Sequence, residues 1–221
     1  MTLRGRKKGE AVPQGVVARL PVYFRYLTDL ERDGIERVSS AQLGEALDFT
    51  AAQIRSDLSC FGSFGQQGYG YNVKELLQQV QYILGLDQTY TMILVGAGNL
   101  GKAIASYDSF RSKGFEIKAI FDIDPLLIGN YLGGCVIRPY EELGSYLQEN
   151  SVDIGIIATP KDSSQEVCDV LIASGVNSIW NFSPVQLVVT DQVIVEHMHL
   201  TDSLLRLAFR INEQFGTRSG V

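Results

Sequence analysis

Three glycines, Gly96, Gly98 and Gly101, stand in the spacing G-x-G-x-x-G, behind the apolar run 92–95 and ahead of a helical pattern. That spacing can hold a pyrophosphate. The first glycine permits a tight turn, the second lets the backbone approach the phosphates, and the third lets the helix pack close to the strand. The helix start adds free N–H groups and the positive end of its dipole. Ala97, Asn99 and Leu100 complete this turn and count as candidate nucleotide-binding residues. Asp122 ends the run "IKAIFD", 21 residues past Gly101. An acid at that distance bonds the hydroxyls of an adenine ribose and repels a 2′-phosphate. No arginine follows closely, so the pattern predicts NADH or NAD+ rather than the phosphorylated coenzymes. The competing reading is a purely structural glycine turn in an α/β protein.

Turnover of such a coenzyme needs a substrate domain and an acid or base near the nicotinamide. Neither is evident, since only about twenty residues follow the sheet pattern. His197 and His199 are the sole histidines. An H-x-H pair on a strand could bind metal or carry protons, but no third ligand is evident, and exposed or locally hydrogen-bonded histidines are the commoner case. Cys60, Cys135 and Cys168 are far apart and in no metal-like spacing, as expected of three small thiols. The expectation is a site that binds without catalysis, with no catalytic residue and no metal. Two alternatives stay open. One is an oxidoreductase whose first ninety residues mediate oligomerisation. The other is a module for a different nucleotide such as CoA, whose binding domains share this topology.

The elements that must position this turn read as α/β. "GCVIR", "VDIGIIATP", "NSIWNFSP" and "QVIVE" read as strands, and "YEELGSYLQEN" and "SSQEVCDVLIASG" as helices, the latter with Ser163 or Ser164 placed to cap it. Thr159-Pro160 and the stretch 181–184 then fall at carboxyl ends of strands, where open parallel sheets bind ligands. A last helix from about Leu200 is apolar over much of its surface and needs a covering, for which a partner subunit is a good candidate. Composition is that of a globular protein, 45% hydrophobic and 20% charged over 221 residues. No apolar run approaches the roughly 18 residues of a membrane span. The start "MTLRGRKKGE" is followed by no apolar core, so no secretory signal is expected, and the cysteine usage suits a cytoplasm.

The first ninety residues have another character. They balance ten basic against ten acidic side chains, whereas 91–221 hold nine against fifteen, the whole of the net −6. Arg4, Arg6, Lys7, Lys8, Arg19 and Arg25 crowd the front against Glu10 alone, which suits a polyanion partner or, as readily, a solvated tail. Apolar residues at helical spacing from Val16 to Leu30 predict a helix ended by Gly34 and kinked, or started late, at Pro21. Ser39/Gln42 and Thr50/Gln53 are two capping boxes, so two short helices start about eleven residues apart. They read equally as a helix-turn-helix or as part of a plain three-helix bundle. Thr50 opens the second helix, and Gln53, Arg55, Ser56 and Ser59 lie off its apolar face, types that can bond base edges or phosphates. "GSFGQQGYGYNV", with Tyr69 and Tyr71, reads as a β-hairpin, and that order is a winged helix. "KELLQQVQYILG" is a further helix and "LDQTYT" a linker.

The strings "RLPVYFRYL", "VSSAQLGEAL", "QIRSDLSCFGSFGQQGYGYNV", "VGAGNLGKA", "FDIDPLLIG", "NFSP" and "LLRLAF" resemble the redox-sensing repressors called Rex, over nearly the whole chain. The resemblance implies an N-terminal winged helix-turn-helix (1–85), a Rossmann-like NAD-binding domain (86–198) and a C-terminal domain-swapped helix (199–221). It implies a homodimer on palindromic operators of fermentation and respiration genes. NADH would close the dimer and release DNA, and NAD+ would compete without release. Gly96 to Gly101 would hold the pyrophosphate and Asp122 the ribose, with Asp124 beside it and Tyr107 near the nicotinamide. Arg25, Tyr107 and His199 would form the switch. Arg55 would contact the operator, with Arg6, Lys7, Lys8 and Tyr69 around it. The chain departs from the family at Ser56, where many members carry a second basic residue. It departs at Gln66 and Gln67, where the wing often carries Lys or Arg, and at His199-Leu200, where an acid and a bulky apolar residue are usual.

Overall fold

The computed structural model describes residues 12–62 and 69–216. The basic residues Arg4, Arg6, Lys7 and Lys8, and Gln66 and Gln67 of the expected wing, lie outside the described residues. The chain divides into two compact units, 1–88 and 89–221.

In the first unit, α1 (Gln14–Arg32) buries Val16, Leu20, Tyr23 and Leu27, one stripe at spacings of three and four. Pro21 sits inside it on the exposed side. The helix starts seven residues earlier and runs through it, so no late start occurs. Then come β1 (Arg37–Val38), α2 (Ser40–Leu47), α3 (Ala51–Ser59), β2 (Tyr71–Asn72) and α4 (Val73–Ile83). The Ser39 box is complete: its hydroxyl accepts from Gln42 N–H and the Gln42 side chain accepts from Ser39 N–H. The second box is half made, because Gln53 spends its side chain elsewhere. Gly44 makes the tight α2–α3 crossing possible, since a Cβ there would lie 2.4 Å from the Phe49 carbonyl oxygen. The described strand β2 pairs antiparallel with β1, Val38 opposite Tyr71. The short strand β1 escaped the sequence reading because two residues show no alternation. The rest of the expected hairpin, 63–68, lies outside the described residues.

The second unit is a seven-stranded sheet in the order β5-β6-β4-β3-β7-β8-β9, parallel except for β5. Its members are β3 (Tyr90–Val95), β4 (Phe115–Asp122), β5 (Tyr131–Leu132), β6 (Cys135–Pro139), β7 (Ile154–Ile157), β8 (Ser178–Asn181) and β9 (Ile194–His197). Ile93 and Val95 pack on one face, under α6 (Leu143–Glu149) and α7 (Lys161–Ala173), and Met92 and Leu94 on the other, under α5 (Asn99–Ala105). A strand buried on both faces shows a continuous apolar run, as β3 does. It begins two residues earlier than the apolar run suggests: Tyr90 and Thr91 pair with Phe115 and Glu116, so the expected linker 86–91 is partly strand. The chain doubles back at β3 and β7, the switch point at which doubly wound sheets bind nucleotides. α8 (Leu200–Phe215) closes the described chain.

Gly101→Ala should destabilise the second unit by at least about 2 kcal/mol, because the added Cβ would sit 1.9 Å from the Gly96 carbonyl oxygen. Gly144→Ala in α6, where the Cβ meets nothing within 4 Å, should instead gain about 0.5 kcal/mol. Denaturant unfolding followed at Trp180 measures both, and equal effects would refute the close approach.

Candidate functional site

The glycine turn is shaped by three different constraints. Gly96 has φ +100°, and a Cβ there would lie 2.6 Å from the Ala158 oxygen at the end of β7. Gly101 has no room against Gly96. Gly98, between them, is exposed and a Cβ there would meet nothing within 4 Å. Two glycines are thus demanded by the protein itself, and the third faces free space where a ligand backbone can approach. Ala97 is buried, while Asn99 and Leu100 open α5 and bring its first, unpaired N–H groups to the same place.

Asp122, half-buried at the end of β4, is part of the turn. Its carboxylate accepts from Ala97 N–H at 2.5 Å and from Asp124 N–H at 2.9 Å. A carboxylate has about four acceptor positions, so two remain for a ribose diol. Asp124 caps the next turn, its own carboxylate taking Leu126 N–H at 2.9 Å. These residues fit an adenine nucleotide with free ribose hydroxyls.

Thr159 and Pro160 follow β7 across the switch point. The Thr159 hydroxyl is 3.2 Å from that of Ser164. α7 starts at Lys161 with Pro160 as its cap, so Ser163 and Ser164 lie inside the first turn and do not cap it. Ser164 is instead fully buried and donates to Ser183 at 2.6 Å. Asn181, also buried, accepts from Ser183 N–H and donates to the Val185 carbonyl at 2.9 Å. Its amide meets His197 Nδ1 at 3.0 Å. Sequence reading missed this polar network. Its only signal is the cluster of Ser, Thr and Asn behind apolar strands.

Tyr107 is not brought to the glycine turn. It follows the far end of α5, roughly 10 Å along the helix axis from Gly98. It is 57% exposed and edge-on to Phe110 at 4.9 Å. With Arg111, Phe115 and Gly133 it lines an open depression of about 720 Å3. His197 ends β9, but His199 lies beyond it as the N-cap of α8, so the histidines do not share a strand; their rings stack 5.9 Å apart. Among the described residues no cluster of three metal-ligating side chains occurs. Cys168 is buried, and burial with the nearby Asp169 charge pushes its thiol up to about 11; burial raises Cys135 as well. Neither thiol is activated.

In the first unit α3 has two polar sides. Arg55, Ser56 and Ser59 are exposed on one. Arg55 donates to the Ser40 hydroxyl at 3.0 Å, and Ser59 returns its hydroxyl to the Ser56 carbonyl. Thr50 accepts from Gln53 N–H at 3.1 Å. Tyr69 is exposed, with the Arg37 guanidinium 5.9 Å above its ring. Arg37 is a further cation on this edge, unflagged because it precedes the capping box rather than lying on a helix. Arg25 is exposed on α1.

The other side of α3 carries Asp57, only 1% exposed. Arg19 grips it with Nε to Oδ2 at 2.6 Å and Nη2 to Oδ1 at 2.9 Å; Tyr23 donates to Oδ2 at 2.6 Å and Gln53 to Oδ1 at 2.7 Å. Burial alone would raise the Asp57 pKa. The bonds from Arg19, Tyr23 and Gln53 and the Arg19 charge outweigh it and hold the carboxyl below its ordinary value. Burial first, then the bond to Asp57, raises the Tyr23 phenol.

The model of a putative DNA-binding protein N-terminus matches residues 11–59, and that of a CoA binding domain matches 87–185. The redox-sensing transcriptional repressor Rex of Clostridium kluyveri is 51% identical over 206 residues, 93% of this chain and 98% of that protein. That of Clostridium beijerinckii is 52% identical over 207 residues, 94% of this chain and 98% of that protein. The chain belongs to the Rex family. The Rex-family repressor RSP, crystallised with β-NAD+ and operator DNA, superposes with a TM-score of 0.88 at 48% identity, covering 93% of this chain and 95% of that one. RSP with β-NADH gives 0.87 at 45% identity, covering 93% and 97%. The Rex fold here is thus a winged helix-turn-helix followed by a Rossmann-like unit. The plain three-helix bundle is set aside, and the oxidoreductase reading is not favoured, since these relatives are repressors.

The Asp57 cluster makes Rex stability acid-sensitive in a defined sense. A depressed folded pKa stabilises above the ordinary carboxylate value of about 3.9 and is lost as pH falls below it through the folded value. Far-UV circular dichroism should show helix lost below about pH 4 in wild type. Asp57→Asn should be less stable at pH 7 and show a smaller drop on acidification; an unchanged acid profile would refute the assignment.

Proposed function

We propose that this Rex chain is a homodimeric, cytoplasmic transcriptional repressor that binds palindromic operator DNA and is released by NADH. The observation that carries the reading is the free space at Gly98, walled by two glycines that have none, in a chain nearly half identical to a repressor crystallised with NAD+, NADH and operator DNA. Gly96 to Gly101 hold the pyrophosphate and Asp122 the ribose. Thr159 and Pro160 border the site, and Asp124 supports Asp122. Asp122 also decides between nucleotides. A carboxylate beside the ribose repels the 2′-phosphate of NADPH and the 3′-phosphate of CoA, so NADH is the preferred ligand despite the match to a CoA-binding model.

Arg55 with Thr50, Ser56, Ser59 and Tyr69 forms the operator face, and Arg6, Lys7 and Lys8 add phosphate contacts. The apolar side of α8, with Leu204, Leu205 and Phe209 more than 60% exposed, is covered by the partner subunit in a domain swap. Arg25, Tyr107 and His199 are the switch residues. NADH can release DNA only through its differential affinity for the two dimer states; a tenfold preference supplies about 1.4 kcal/mol per site.

Fluorescence anisotropy on an inverted-repeat operator tests this. NADH should weaken operator binding at least tenfold and NAD+ should not. Equal affinity with and without NADH sinks the reading. Gly98→Ala should leave DNA binding and thermal stability near wild type but lower NADH affinity at least tenfold. Arg55→Ala should do the reverse, abolishing operator preference with NADH affinity intact, and loss of both together would refute separate sites.

A further inference from the structure

We propose that Asp57 is a positioning residue for the DNA-reading helix, clamped by Arg19, Tyr23 and Gln53 so that Arg55 and Ser56 are presented at one rotation of α3. The inference rests on the operator-binding reading above and adds a specificity device within the first unit.

A carboxylate is the wrong charge for a helix that meets phosphates, yet α3 carries one. It is shielded by being buried and by having every acceptor position filled. Arg19 Nε and the Tyr23 hydroxyl take Oδ2, while Arg19 Nη2 and the Gln53 amide take Oδ1. Arg19 and Tyr23 are four apart on α1, and Gln53 and Asp57 four apart on α3, so two helix faces meet along one turn each. A two-pronged guanidinium–carboxylate contact fixes a plane as well as a distance. Apolar contacts already glue α3 to the core through Ile54 and Leu58. They tolerate small rotations, which the fork does not. Phe49 extends the clamp to the α2–α3 turn, lying edge-on to Tyr23 at 6.0 Å and under the Arg19 guanidinium at 5.9 Å. Neighbouring residues on a helix are about 100° apart, so a modest turn of α3 would carry Arg55 off its base or phosphate. Gln53, although exposed and of a type that reads adenine, has its amide donated to Asp57 and acts through it. This separates two kinds of polar residue on one helix: Arg55 and Ser56 contact DNA, whereas Gln53 and Asp57 aim them.

The test uses full-length, NADH-free protein and measures anisotropy on operator and on a scrambled duplex across a salt series. The variants are Arg19→Lys, which keeps the charge and loses the fork, and the triple Arg19→Met/Tyr23→Phe/Asp57→Leu. The triple replaces the buried pair by apolar groups of similar size, a change usually neutral or favourable for folding. Both should cut the operator-to-scrambled affinity ratio at least tenfold. Scrambled-duplex affinity should stay within about twofold and the salt slope unchanged, because the phosphate-contacting cations remain. NADH affinity should not move. A merely structural cluster would lower the active fraction and both affinities alike, leaving the ratio intact; that result in either variant overturns the clamp. Wild type that prefers its operator while the triple variant prefers it equally also overturns the clamp alone. Wild type with no operator preference overturns the operator reading and the clamp with it.

Discussion

The bond from Ala97 N–H to the Asp122 carboxylate holds the nucleotide site in shape. It ties the glycine turn after β3 to the end of β4, so that turn and acid form one rigid corner. Around that corner the backbone is packed to contact: Gly96 against the end of β7, Gly101 against Gly96. Nothing larger than hydrogen fits at either place. Gly98, between them, is left open, with nothing within 4 Å of where its Cβ would be. The first N–H groups of α5 stand at the same place, the usual setting for an anion at a helix start.

Each unit places one acid under strong restraint, and the two restraints differ in kind. Asp122 is held by backbone N–H groups and keeps two acceptor positions free, so it remains chemically available. Asp57 is held by three side chains, keeps none free, and is closed to solvent. The first arrangement suits recognition of a diol. The second suits orientation of what surrounds it. Burial of Asp57 would be costly without Arg19, and the net lowering of its pKa shows that the partners outweigh the loss of water.

Much of this was legible from residue types and spacing. The glycine fingerprint and Asp122 stand where their spacing put them because both are requirements of local backbone geometry. Ser39 and Gln42 close their box for the same reason. Thr50 and Gln53 show the limit: an identical local pattern closes only halfway, because the Gln53 side chain turns forward to donate its NH2 to Asp57, four residues on, which takes its oxygen away from the Thr50 N–H. Arg19 and Asp57 are 38 residues apart, and no periodicity links them. Ser164 misled in the same way, since a serine near a helix start suggests a cap, while Ser183, nineteen residues on, draws its hydroxyl into the core. Tyr107 is the harder case. It follows the other end of α5, exposed and edge-on to Phe110, a placement that residue spacing alone does not give.

The departures from the family bear on the same distinction between contact and aim. With Ser56 in place of a second basic residue, α3 offers Arg55 as its one exposed cation among the described residues of that helix. Phosphate attraction is insensitive to sequence and grows with the number of cations engaged. A helix with fewer of them has less non-specific grip against which a specific contact must compete. Arg55 itself is steadied from α2 by the Ser40 hydroxyl, at the base of the Ser39 box. The helix carrying it is fixed from α1 through Asp57. The single exposed cation of α3 and its fully satisfied buried carboxylate are two parts of one arrangement: the cation is held from α2 through Ser40 and the helix from α1 through Asp57.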